Sequence, residues 1–99
     1  MYKIILAKRV RSQLQNHTAF LSRVSLPAAK KMRNSFADIL VRLKENPFQF
    51  PIDPVFAELN LPYRKALFEG KYKVLFFVSN DKVFIDSVVD CRQQVDKAF

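Results

Sequence analysis

What this 99-residue chain lacks bounds what it can be. A single glycine, Gly70, leaves no means of building a glycine-rich phosphate loop. A single histidine, His17, excludes clusters of histidine ligands and makes any Ser/His/Asp or Cys/His relay depend on that one ring. A single cysteine, Cys91, rules out an internal disulfide and a cysteine-built zinc site, and fits a reducing cytoplasm. No metal and no cofactor is therefore expected. The longest apolar run, Val74 to Val78, is a strand's length, far short of the roughly 20 residues that cross a bilayer. Met1 opens directly into Tyr2 to Ala7, without a signal-peptide apolar region. These features predict a cytoplasmic protein with no membrane partner.

What the chain has in quantity is core material and positive charge. With 49% hydrophobic residues and ten phenylalanines, residues 1–99 can build one compact domain. Seventeen Lys and Arg against nine Asp and Glu give a net charge of +8, which points to an acidic partner. Residues 1–46 hold ten basic and two acidic side chains, so ten minus two, the whole +8, lies there. The remaining residues hold seven of each sign.

Apolar periodicity places the elements. Tyr2 to Ala7 reads as an opening strand. Val10, Leu14, Phe20, Leu21 and Val24 line one face of a helix. Ser25 is an N-cap for a second helix, because Pro27 is tolerated in a first turn; Ala29, Met32, Phe36, Leu40 and Leu43 are its stripe, and Asn46-Pro47 stops it. The pair forms an αα-hairpin whose outward faces carry the basic excess. Four of the five prolines fall between Glu45 and Tyr63, predicting a stiff connection with a short helical turn near Val55 to Glu58, pinned to the core by Phe48, Phe50 and Phe56. After Pro62 the period becomes two, giving strands at 63–68, 71–78 and 83–90 joined as an antiparallel meander. The fold expected is α+β, with one sheet packed on the helical hairpin.

Strand parity then sorts the faces. A two-residue turn at Glu69-Gly70 sets Phe68 opposite Lys71, placing Arg64, Lys71 and Lys73 on one face with Phe77, Phe84, Asp86 and Asp90. Lys71 then opposes Asp90. The other face, with Leu67, Tyr72, Val74, Phe76, Val78, Val83, Ile85 and Val89, meets the helices. Cations interleaved with aromatic rings suit an RNA strand, through phosphate contacts and base stacking. A cross-strand charge pair, with the rings covered by the proline-rich segment or the tail, accounts for the same pattern. For cleavage, lysine and arginine can stabilise a phosphorane-like transition state, while Asp86, Asp90 or a lysine must take the 2′-hydroxyl proton. His17 falls where an apolar stripe residue would sit, which argues for structural duty, and Cys91 has no evident activating base.

The order of these segments, with Leu43-Lys44-Glu45-Asn46-Pro47, Tyr63-Arg64, Lys71-Tyr72-Lys73-Val74-Leu75-Phe76 and Val88-Val89-Asp90-Cys91-Arg92-Gln93, resembles the RelE/ParE superfamily of toxins from bacterial type II toxin–antitoxin systems. The resemblance runs through nearly the whole chain. It implies an α+β toxin neutralised by a small acidic cognate antitoxin. RelE-like members cleave mRNA on the ribosome, the mechanism expected first here, whereas ParE-like members poison DNA gyrase; an inactive nucleic-acid-binding module of the same fold is a further alternative. Carried over by position, Arg64, Lys73 and Arg92 are the implied catalytic residues, with Tyr63, Lys71 and Phe77 as substrate contacts. Ala66 stands where RelE-like cleavage uses a lysine, and no histidine or tyrosine marks the end of the last strand. The helical hairpin is the more ParE-like part.

Overall fold

A computed structural model describes residues 1–92, so the tail from 93 onward lies outside the described residues. The chain runs β1 (Lys3–Leu6), α1 (Lys8–Val24), α2 (Leu26–Glu45), a 3₁₀ turn (Pro47–Gln49), α3 (Pro54–Ala57), β2 (Arg64–Phe68), β3 (Tyr72–Ser79) and β4 (Lys82–Asp90). The expected α+β architecture is present. The sheet order is β1-β4-β3-β2, with β1 parallel to β4 and the other two pairs antiparallel.

Local chemistry explains the hairpin. Ser25 accepts the Ala28 N–H at 3.2 Å and caps α2, with proline in its first turn. The buried stripe of α2 is Ala29, Met32, Phe36, Ile39 and Leu43, with the expected Leu40 packed against it at the margin, partly buried. On α1 only Val10 and Leu21 are buried. Phe20 and Val24 were expected in the stripe but stand 57% and 75% exposed; both follow His17, the last α1 side chain hydrogen-bonded to β4.

The sheet corrects the expected faces in two places. Glu69 and Gly70 both have positive φ, and the ladder resumes only at Tyr72, so three residues rather than two separate the strands. Phe68 therefore pairs with Tyr72 and not with Lys71. This one-residue slip turns all of β2 over: Ala66 and Phe68 enter the core, where Phe68 meets Phe36 at 6.0 Å and Tyr72 at 5.4 Å, while Leu67 is exposed. Second, a bulge leaves Asp86 unpaired, with Leu75 opposite Ser87 and Phe76 opposite Ile85. Beyond it the parity of β4 inverts, so Val88 is buried, Val89 joins the outer side and Asp90 pairs with Tyr72 instead of Lys71.

β4 spans nine residues but β1 only four, and their pairing ends at Ile85. The bare edge of β4 past that point is met by α1: Gln13 accepts the Val88 N–H at 2.8 Å, and the His17 ring N–H donates to the Val88 carbonyl at 3.0 Å. His17 also packs on Tyr72, with ring centroids 5.2 Å apart, which is the structural duty its place in the stripe implied.

Removing the Gln13 acceptor strands a part-buried amide. Gln13→Ala should cost about 1–3 kcal/mol and lower Tm by roughly 4–8 °C per kcal/mol, read by thermal unfolding. Gln13→Glu, which keeps an acceptor, should avoid most of the loss; a Tm for Q13A equal to that of the parent would show that this rung carries no stability.

Candidate interaction site

The outer face of the sheet, away from α1 and α2, carries three of the expected site residues. Lys73 and Phe77 project there from β3, and Tyr63, just before β2, packs edge-on to Phe77 at 5.5 Å. Phe56 of α3 lies 4.9 Å from Tyr63, and Phe77 stacks on Phe84 at 5.0 Å. The aromatic rings are thus partly covered by the proline-rich segment, one of the two outcomes the sequence left open.

Lys73 is not free on this face. Its Nζ donates to Asp53 Oδ2 at 2.7 Å, and both residues are buried, at 7% and 1% exposure. Asp53 also accepts the Val55 N–H at 3.0 Å, capping the four-residue α3 that begins at Pro54. Burial raises the Asp53 carboxyl, but the Lys73 hydrogen bond, the Val55 N–H and the charges of Lys73 and Lys65 outweigh it, leaving the group below its ordinary range. Asp53 was not among the expected site residues. Its signal was legible in principle, since an Asp directly before Pro is a helix N-cap followed by a first-turn proline.

The remaining candidates are held apart. Arg64 leaves the sheet at its edge, where Nη1 donates to the Phe50 carbonyl at 2.7 Å and the guanidinium lies 4.9 Å from the ring centre of Phe48. The slip of β2 puts Arg64 opposite Phe76 rather than Leu75, so it does not share the face of Lys73. Phe48, expected to pin the connection to the core, is 52% exposed and instead pairs with Arg64 and Tyr2; Phe50 is the buried anchor.

Arg92 sits at the end of β4 and grips Asp90 twice, Nε to Oδ1 at 3.1 Å and Nη2 to Oδ2 at 2.9 Å. That Arg92 hydrogen bond is the largest influence on the Asp90 carboxyl and lowers it despite burial; the same contact raises Arg92. Tyr72, beside them, is raised by burial first and by Asp90 second. Lys71 is near this end, its carbonyl accepting the Cys91 N–H at 2.8 Å. Asp86, one of the possible proton acceptors, pairs with Arg9 at 3.2 Å on the α1 side.

The expected cations therefore form three separate arrangements: Lys73 under the aromatic cover, Arg64 at the edge, and Arg92 with Lys71 at the sheet end. Among the described residues, no buried side-chain polar atom lacks a partner, and no group of His, Cys, Asp and Glu is placed to hold a metal ion. No described helix is long and apolar enough to cross a membrane. The arrangement offers anchored aromatic and cationic surface more than a convergent acid–base pair.

No family profile and no curated protein matches the chain. Its fold is similar to that of a chain from the chromosomal ParDE TA system of P. aeruginosa, with a TM-score of 0.72 at 15% identity, covering 91% of this chain and 96% of that one.

Asp53→Asn should unfold the outer cover first and destabilise the protein by about 3 kcal/mol, the lower end of the range for breaking a buried pair, since only a four-residue helix shields it. Asp53 and Asp90 are both held below the usual carboxylate range when folded, so the unfolded chain binds protons first on acidification. Stability should be level above the carboxylate range and fall as the pH drops through it, with a shallower fall in D53N. Denaturant titrations across that range check the sign; a D53N slope equal to the parent's would exclude Asp53 as a source.

Proposed function

We propose that this chain is the toxin of a type II toxin–antitoxin pair, and that it stops growth by binding a macromolecular target rather than by cutting RNA. The observation that carries the reading is the ParDE-like fold, which extends over most of both chains. It is joined by the ordered sequence resemblance and by a basic surface suited to a small acidic antitoxin.

The state of the three cations favours binding over cleavage. A ribosome-dependent nuclease needs free positive charge converging on one phosphate, with a group to take the 2′-hydroxyl proton. Here Lys73 is neutralised by Asp53, Arg92 by Asp90, and Arg64 is tied to a backbone carbonyl and a ring. Ala66, where RelE-like cleavage uses a lysine, is buried in the core. These features support the ParE-like branch, whose target is DNA gyrase in the cytoplasm, over the RelE-like branch, which acts on mRNA in the ribosome. On this reading Tyr63, Phe77, Arg64 and Arg92 are contacts for the target and have no catalytic step to perform.

Inducing the chain alone in a bacterium should arrest growth, with transcripts intact and gyrase–DNA complexes accumulating. Co-expression of an acidic protein from an adjacent reading frame should restore growth. Normal growth at good expression would reject the toxin reading. Codon-spaced mRNA ends that require ribosomes would transfer the protein to the nuclease branch.

A further inference from the structure

The turn end of the helical hairpin combines two kinds of side chain. Phe20 and Val24, one turn apart on α1, stand 57% and 75% exposed, and Leu26 at the start of α2 stands 59% exposed. Single exposed apolar residues are ordinary, but three large ones within seven residues of chain form a patch. Ser25 alone joins the two helices, so the patch sits on a protruding corner.

The charge around this corner is of one sign. Residues 1–37 contain no Asp or Glu. Arg23 lies two residues before Ser25 and Lys30 five after it, both exposed and without a salt-bridge partner among the described residues. Exposed Arg33 follows about one turn further along α2. At about 1.5 Å per residue, Lys30 sits roughly 7 Å behind the turn and Arg33 roughly 12 Å behind it. Val24 and Leu26 therefore lead, Phe20 lies about level with Lys30, and the cations trail.

Apolar side chains in front of uncompensated cations select the occupant. A second copy of the chain would bring like charges together. A nucleic acid would satisfy Arg23 and Lys30 but leave Phe20, Val24 and Leu26 against sugar and phosphate. A protein partner would need an apolar cleft of matching shape, rimmed with carboxylates. An anionic lipid surface meets both demands without a prebuilt shape, since it takes apolar side chains about 5–10 Å into its headgroup and acyl boundary and holds cations at the headgroups. The long stems of Arg23 and Lys30 let their charges stay at headgroup level while the corner sits deeper. We propose that the turn end of the hairpin docks on an anionic membrane surface, with Phe20, Val24 and Leu26 inserted and Arg23, Lys30 and Arg33 on the headgroups. The expectation of no membrane partner, drawn from the length of apolar runs, speaks to spanning and not to surface docking. Nothing in this docking depends on the toxin reading.

The chain contains no tryptophan, so a single one introduced reports its own surroundings. Val24→Trp in the full chain should bind vesicles of phosphatidylcholine with phosphatidylglycerol and shift its emission to the blue, and should do neither with phosphatidylcholine alone. Leu59→Trp, on the proline-rich connection and 63% exposed in the parent, should bind equally without a shift. In vesicle co-sedimentation, Arg23→Glu with Lys30→Glu should weaken binding at least about tenfold. Phe20→Ser with Leu26→Ser should do the same by removing the inserted groups, at least about tenfold. All the substituted residues are exposed, and an unchanged Tm shows that the variants fold. No binding to the anionic vesicles, bound protein with Val24→Trp unshifted, an equal shift at Leu59→Trp, or binding indifferent to both paired substitutions would overturn the inference. An equal blue shift with polyglutamate or duplex DNA in place of vesicles would also overturn it, by assigning the corner to an acidic polymer.

Discussion

β4 is more than twice as long as the strand beside it, and much of the molecule is arranged around that mismatch. A central strand with an unpaired flank exposes backbone groups that must find partners or water. Here α1 lies along the flank, and Gln13 and His17 stand in for a fifth strand at Val88. This fixes where α1 sits, and through the short Ser25 connection it fixes α2 as well. A longer β1 would have removed the need for polar side chains on the buried side of α1.

The two sides of the sheet are stabilised by different physics. The helix side is an apolar core of Phe76, Val74, Tyr72, Met32 and Leu43, close to fully buried. The outer side is held by one ion pair and a row of rings under a four-residue helix. A buried Lys–Asp pair contributes little net stability against an apolar pair of similar size, but breaking it leaves a stranded charge. Asp53 and Lys73 therefore specify how the proline-rich connection lies on the sheet more than how tightly the protein holds together.

Element type and order were legible in the sequence because they rest on repeated signals. The α2 stripe recurs at every turn, and Ser25 with Pro27 marks its start. Register was not legible, because both alignments of β2 on β3 preserve alternation; the choice between them was made by Phe68 finding Phe36 and Tyr72 in the core. The bulge at Asp86 has no local mark either. The charge of Asp86 is met across space by Arg9, distant in sequence. The candidate residues were legible as residue types, but their partners, Asp53 for Lys73 and the Phe50 carbonyl for Arg64, depend on how the proline-rich connection folds back.

The parallel pairing of β1 with β4 sets Lys3 against Lys82, so among the described strands β1 pairs only with β4, far along the chain. Contacts that distant in sequence form late and slowly, since the intervening loop must close first. A ribosome translating this chain holds β1 unpaired, and α1 without the strand edge that Gln13 and His17 complete, until β4 has been made. The surface formed by β1 and the start of α1 is thereby tied to the arrival of β4, and a chain without β4 lacks it.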